Sequence, residues 1–227
     1  MDARAASWYV KGIGAPERVG AIVPECFARY ARIFHPAYLY SVLPRHRKTV
    51  RWRDIAAANR RTIVGEMNAL GDSCVPSRFS LGRDVLWTEQ PAIGALPREL
   101  AVRFVDILAA YTTVPDECFF AVWEGFTILA PWVRRAPTFS APFRRYYLLK
   151  GRLSDVLDTL SYVDDIYRSP SLWWPSDRAW CVSTEVDFAW TYVGGSAACV
   201  ADILSDAALE AVATNAGEGH TMRSATP

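Results

Sequence analysis

Between Trp180 and Tyr192 the chain alternates apolar and polar residues with a period of two, and this run limits the fold more than any other stretch. Trp180, Val182, Val186, Phe188, Trp190 and Tyr192 occupy even positions, with Thr184 completing the series, while Cys181, Ser183, Glu185, Asp187 and Thr191 occupy odd ones. Successive side chains leave a strand on opposite sides, so the pattern predicts β-structure with one face in a core. The run is long against a mean strand of about five or six residues, which predicts two strands joined by a bend or tight turn near Glu185–Ala189. Trp180, Val186 and Phe188 then belong in the core, with Glu185 and Asp187 on the opposite, solvated face. Gly194-Gly195-Ser196 closes the run, and the Ser196 hydroxyl is placed to cap a helix from Ala197 to about Leu204.

Elsewhere the signals are shorter. Val19–Val23 is an apolar run stopped by Pro24. Tyr30–Phe34 alternates and precedes His35-Pro36; a residue before proline is biased to an extended backbone, which predicts a strand. Trp52–Arg61 predicts a short helix. Residues 62–95 hold Gly65, Gly71, Pro76, Gly82, Pro91 and Gly94 with little periodicity, and read as an irregular loop region. Pro97 suits a first helical turn, and Leu100, Phe104, Leu108 and Tyr111 follow as a buried stripe. Cys118–Trp123 and Arg145–Lys150 read as strands, the second ending at Gly151. Leu153, Val156, Leu157 and Leu160 read as a second amphipathic helix, and residues 214–227 as a flexible tail. Strands mixed with helices, without regular βαβ alternation, predict an α+β fold with a mainly antiparallel sheet and helices packed on one side. At 227 residues, one domain over 1–227 is expected.

Composition narrows the function classes. Half the residues are apolar and 22% are charged, which is a globular rather than a disordered balance. No run approaches the roughly 20 apolar residues of a membrane span, and Met1–Lys11 lacks the apolar segment of a secretory signal. The five cysteines, Cys26, Cys74, Cys118, Cys181 and Cys199, are odd in number and form no C-x-x-C pair. That spacing argues against a disulfide framework or zinc ribbon and for a reducing, cytoplasmic setting; no metal site and no cofactor is expected. Net charge is +1, but residues 1–61 hold 12 Lys/Arg against 4 Asp/Glu and residues 151–227 hold 4 against 11. Either the two ends neutralise each other in the fold, or separate basic and acidic surfaces await charged partners.

Several residues could carry function. Glu185 and Asp187, two apart on a strand, could divide acid and base roles or hold a cation, with Glu124 and Asp177 nearby in space and Arg145 or Arg178 on an anionic substrate. His35 is a catalytic candidate by residue type, set against a structural histidine. Trp173-Trp174-Pro175-Ser176-Asp177-Arg178 reads as a rigid aromatic turn, in which Trp173, Trp174, Asp177 and Arg178 would contact a ligand or partner if exposed, or cap the core if not. Gly194-Gly195-Ser196 lacks the P-loop pattern and Ser196 lacks a nucleophile elbow, so a turn and cap is the simpler reading. Arg45, Arg47, Lys48, Arg51 and Arg53 surround Trp52 and could bind phosphates, but the near-neutral total and the acidic C-terminal third disfavour nucleic acid and leave a solvated face or a contact with the acidic region as the simpler readings.

The segments ARIFHPA (31–37), WEGF (123–126), RRYYLLKG (144–151) and WWPSDRAWCVSTEVDFAWTYVGGS (173–196) resemble the signatures of a family of uncharacterised actinobacterial proteins, over most of the chain. The strand-strand-helix ending is similar to that of SUKH-type immunity proteins, a likeness that implies binding and neutralising a toxin. The expectation is therefore a cytoplasmic binding protein that recognises a basic protein or a small ligand through an aromatic and charged surface. An enzyme using Glu185 and Asp187 is the alternative.

Overall fold

The computed structural model describes residues 3–41, 46–58 and 87–220. Among them are the helices α1 (Ser7–Gly12), α2 (Trp52–Ala58), α3 (Arg98–Leu108) and α4 (Ala197–Ser205). The strands are β1 (Arg29–Phe34), β2 (Ala37–Ser41), β3 (His46–Val50), β4 (Cys118–Trp123), β5 (Thr138–Ala141), β6 (Arg144–Gly151), β7 (Leu172–Pro175), β8 (Cys181–Ser183), β9 (Trp190–Gly195) and β10 (Ala211–Thr214). Eight of them form one antiparallel sheet in the order β10-β1-β9-β8-β7-β4-β6-β5, and β2 with β3 forms a separate hairpin. The fold is α+β and dominated by this sheet, as the strand signals predict.

Both faces of the sheet are buried. Ala31, Ile33, Phe120, Trp173, Val182 and Val193 face one core, where α3 contributes Leu100, Phe104 and Leu108 and α4 contributes Cys199, Val200 and Ile203. Tyr30, Phe34, Trp174, Cys181, Trp190 and Tyr192 face the other, closed by Tyr9 of α1 and by Trp52 and Ile55 of α2. The two longer helices thus lie on one side, and the two short ones cover the opposite side. The alternation at 180–192 therefore sorts residues between two cores, not between core and water. Its parity also changes within the run. Val182 pairs with Val193 and Ser183 with Tyr192, and cross-strand partners share a face. Even positions of β8 consequently face the α3/α4 core, while even positions of β9 face the other. Trp180 and Phe188 are buried as expected, but Val186 sits half-buried in the β8–β9 turn and outside the core.

Local signals hold well where they are strong. β4 spans the expected residues, Leu100, Phe104 and Leu108 form the buried stripe of α3, and Ser196 caps α4 by accepting from the Cys199 amide at 3.2 Å. The expected helix around Leu153–Leu160 is only a 3-10 turn, Leu153–Leu157. Asp155 ties back to the Arg152 amide, and Leu160 is drawn into a bridge region by the Arg168 carbonyl. Residues 215–220 of the expected tail are hydrogen-bonded to residues 17–20: Val19 N–H donates to Glu218 O and Gly20 N–H to Ala216 O, both at 2.9 Å. Most of the 62–95 loop region and the tail beyond 220 lie outside the described residues. Residues 87–95 are irregular, as expected, and anchored: Gly94 N–H donates to Phe188 O at 2.9 Å.

Candidate functional site

The turn between β8 and β9 brings all three acid-base candidates into one neighbourhood. Glu185 and Asp187 do not share a strand face; both project from this turn. A strand would have left them unpaired against water, whereas the turn lets one guanidinium reach both. Arg144, at the start of β6, donates to Glu185 Oε1 and to Asp187 Oδ2, the latter at 3.2 Å. The Glu185 side chain is 21% exposed and Asp187 79%. Arg144 also lies over the Trp123 ring, 4.9 Å from its centroid.

Behind the turn runs a buried relay. His35 is fully buried, with Nδ1 2.7 Å from Ala92 O and Nε2 2.9 Å from Thr191 Oγ1, which in turn lies 2.7 Å from Thr184 Oγ1. Burial pushes His35 down to about 4, so the ring is neutral at physiological pH. A carbonyl only accepts, so Nδ1 carries the proton and donates to Ala92 O. Nε2 must then accept from the Thr191 hydroxyl, and the Thr191 oxygen accepts from Thr184. Every polarity in the relay is determined, and its role is to clamp β1, β9, the loop at 92 and the turn together. Because the folded His35 value lies below its unfolded one, near 6.5, the unfolded state binds more protons between these limits. Stability is full above about pH 6.5 and falls as the pH drops towards 4, by on the order of 3 kcal/mol from this residue. His220, pushed down by burial and packed on Phe188, adds in the same direction. Urea midpoints measured between pH 7 and 4 should show the decline, and His35→Gln should flatten it; an equal slope in that variant would assign the effect elsewhere.

The space behind Glu185 measures about 40 Å³ and is lined by Tyr9, Tyr146, Ser171, Ser183 and Val186 among others. One water needs roughly 10–15 Å³, so this volume suits a few waters rather than a substrate. Burial, reinforced by neighbours including Glu185, holds the Tyr9 and Tyr146 hydroxyls protonated. Chemically, the region is an ion-paired clamp in which one guanidinium is shared by two carboxylates. No group of acidic, histidine and cysteine residues with metal-holding geometry occurs among the described residues.

The other sequence candidates separate. Trp173 and Trp174 do not form an exposed aromatic turn; they lie in β7, fully buried and pointing to opposite cores. The reason is that β7 lies inside the sheet, between β4 and β8, where each face is covered by a core: Trp173 packs with Phe104 of α3 and Trp174 with Tyr9 of α1. Asp177 and Arg178 follow at the far end of β7 from the Glu185 turn. Burial raises the Asp177 carboxyl, but bonds from the Thr113 amide, the Thr112 hydroxyl and the Ala179 amide outweigh it and hold the group below its ordinary value. Arg178 does not pair with Asp177 but lies over Trp8, 5.6 Å from the ring centroid.

Sequence reasoning missed a concave region around Arg51. Two clefts, of about 410 Å³ and about 420 Å³, flank Arg51 and share Phe34, Arg51 and Glu210. The first is also lined by Pro36, Thr49, Glu99, Leu100, Arg103 and Ala208. The second adds Arg53, Leu204, Asp206 and Leu209. Here the basic N-terminal and acidic C-terminal segments meet. The Glu210 carboxylate accepts from the Trp52 and Arg53 amides, both at 2.7 Å, closing the first turn of α2, while Arg51 donates to Ala207 O. Burial raises Glu210 despite those amide bonds. Burial likewise pushes Asp206 up, but Arg103, bonded to it at 2.5 Å, and backbone amides outweigh that and hold it down. The basic run at 45–53 was the one available signal. Compared with known proteins, the chain has no match among family models, curated proteins or solved structures.

Proposed function

We propose that the chain is a cytoplasmic binding protein whose ligand is a small molecule held in the two-lobed cleft around Arg51. The observation that carries this reading is the size and lining of the cleft: each lobe falls within the roughly 300–1,000 Å³ of small-molecule sites, the first mainly apolar, the second of mixed polarity, and both with charged groups at their walls. Arg144 pairs with Glu185 and reaches Asp187, so only one net negative charge remains at the turn, which weakens the case for an acidic docking face aimed at a basic partner. The small space behind Glu185 likewise weakens the enzymatic alternative. The unbridged thiols of Cys26, Cys118, Cys181 and Cys199 fit a reducing compartment. No helix among the described residues is long and apolar enough to cross a membrane.

The test is thermal stabilisation across a panel of carboxylates, phosphates, amines and neutral polyols. Ala208 is exposed and lines the first lobe, so Ala208→Trp fills that lobe without entering the core. A stabilising compound should lose its effect in Ala208→Trp while the unliganded melting temperature stays near wild type. Stabilisation that survives Ala208→Trp but disappears in Glu185→Gln with Asp187→Asn would move the site to the β8–β9 turn and overturn the proposal.

A further inference from the structure

We infer that Arg51 and Arg53 form an anion site in the second lobe of the cleft, which takes the carboxylate or phosphate group of the ligand. This deepens the proposed function and rests on it. The acids that line the cleft are already committed. Both oxygens of Glu210 accept backbone amides of α2, Asp206 is bonded to Arg103 at 2.5 Å, and Glu99 accepts from the Tyr38 hydroxyl and lies 3.8 Å from Arg47. The arginines are not. A guanidinium carries five N–H donors. Among the described residues the Arg51 guanidinium makes one hydrogen bond, to Ala207 O, and the Arg53 side chain makes no hydrogen bond or ion pair.

Both residues line the same lobe, a space of about 420 Å³, which puts their donors within reach of one bound group. The acids that line this lobe are Asp206 and Glu210, and the charges of Arg53 and of Asp54 on α2 both act on Glu210. An anion that presents two oxygens to one fork, a carboxylate or a phosphate, is the ligand group that matches. Leu204, 37% exposed, and Leu209 offer an apolar wall beside it, which suits an organic anion over a bare ion. The backbone at 51–53 is fixed by the Glu210 bonds, so both arginines start from a positioned helix turn and not from a free loop.

The experiment is titration of the full chain with inorganic phosphate and with citrate by calorimetry and thermal shift, at low and moderate salt. Binding of at least one is expected, weakening as salt rises because the contacts are solvent-accessible. Arg53→Ala should weaken it at least tenfold with an unchanged unliganded melting temperature, since only the side chain is removed and the amide that Glu210 holds remains. Arg51→Lys gives a second reading that keeps the charge but loses the fork, and it too should weaken binding. Phosphate and citrate affinities that are absent, or unaltered in both variants, overturn the anion assignment. A neutral or cationic compound whose binding is sensitive to Ala208→Trp overturns the anion assignment while leaving the cleft reading standing. A preference for phosphate over citrate, or the reverse, tells the two head groups apart.

Discussion

Replacing Trp173 by alanine should lower the unfolding free energy by about 3–5 kcal/mol, the range for removing a buried large aromatic side chain. Trp173 has no solvent exposure, and its ring lies 6.3 Å from that of Phe104 and 5.3 Å from that of Trp180. Its truncation would therefore open a void where α3 meets the centre of the sheet. The indole N–H has no hydrogen-bond partner among the described residues, so its removal relieves one buried, unsatisfied donor and pulls the loss towards the lower end. The measurement is a urea midpoint, read with the slope to confirm a two-state transition. A midpoint equal to wild type would mean that the Trp173 ring is not in the core.

The same residue shows what the sequence could and could not convey. Trp173-Trp174-Pro175 looks like a turn because proline follows two bulky rings, and nothing local reports that strands lie on both sides. Strong one-dimensional patterns, such as the α3 stripe or the apolar run of β4, were legible because each depends only on neighbours a few residues away. Burial of both sheet faces was not, since alternation looks the same whether the second face meets water or another core. The parity change between β8 and β9 was equally hidden, because it depends on cross-strand register. Glu185, Asp187 and His35 were visible as residue types, but their union around Arg144 and Thr191 required the tertiary fold. The cleft was the least legible feature, assembled from Phe34, Arg51, Leu100, Arg103 and Glu210, which are scattered along the chain.

Gly94→Ala should be the other severe substitution, lowering stability by about 2–5 kcal/mol, from the strain of a left-handed backbone and from overpacking. Gly94 has φ of 72°, and an added Cβ would stand 2.3 Å from the Val186 carbonyl oxygen. The obstacle is backbone, so no rotamer change relieves it; either the loop lifts or the β8–β9 turn shifts. Lifting the loop would break the Gly94–Phe188 hydrogen bond and strain the bond from His35 to Ala92 O. A drop in melting temperature of roughly 5–15 °C is expected for a chain of this size. An unchanged melting temperature would show that the loop does not rest on the turn.

The place of β1 in the sheet has a consequence for synthesis on the ribosome. β1 pairs with β9 on one side and β10 on the other, with Phe34 opposite Trp190 and Tyr30 opposite Thr214. An early strand therefore waits for both of its neighbours until the last third of the chain has been made. At about 5–20 residues per second the interval is on the order of ten seconds or more. Throughout it, the Tyr30–Phe34 backbone has neither ladder partner, and its apolar side chains have no core to enter. Pairings this distant in sequence are slow to form because loop closure precedes any reward from contact. A nascent chain of this protein is thus a natural client for chaperones that shield unpaired strands, and truncation before β9 should yield an aggregating fragment rather than a smaller folded one.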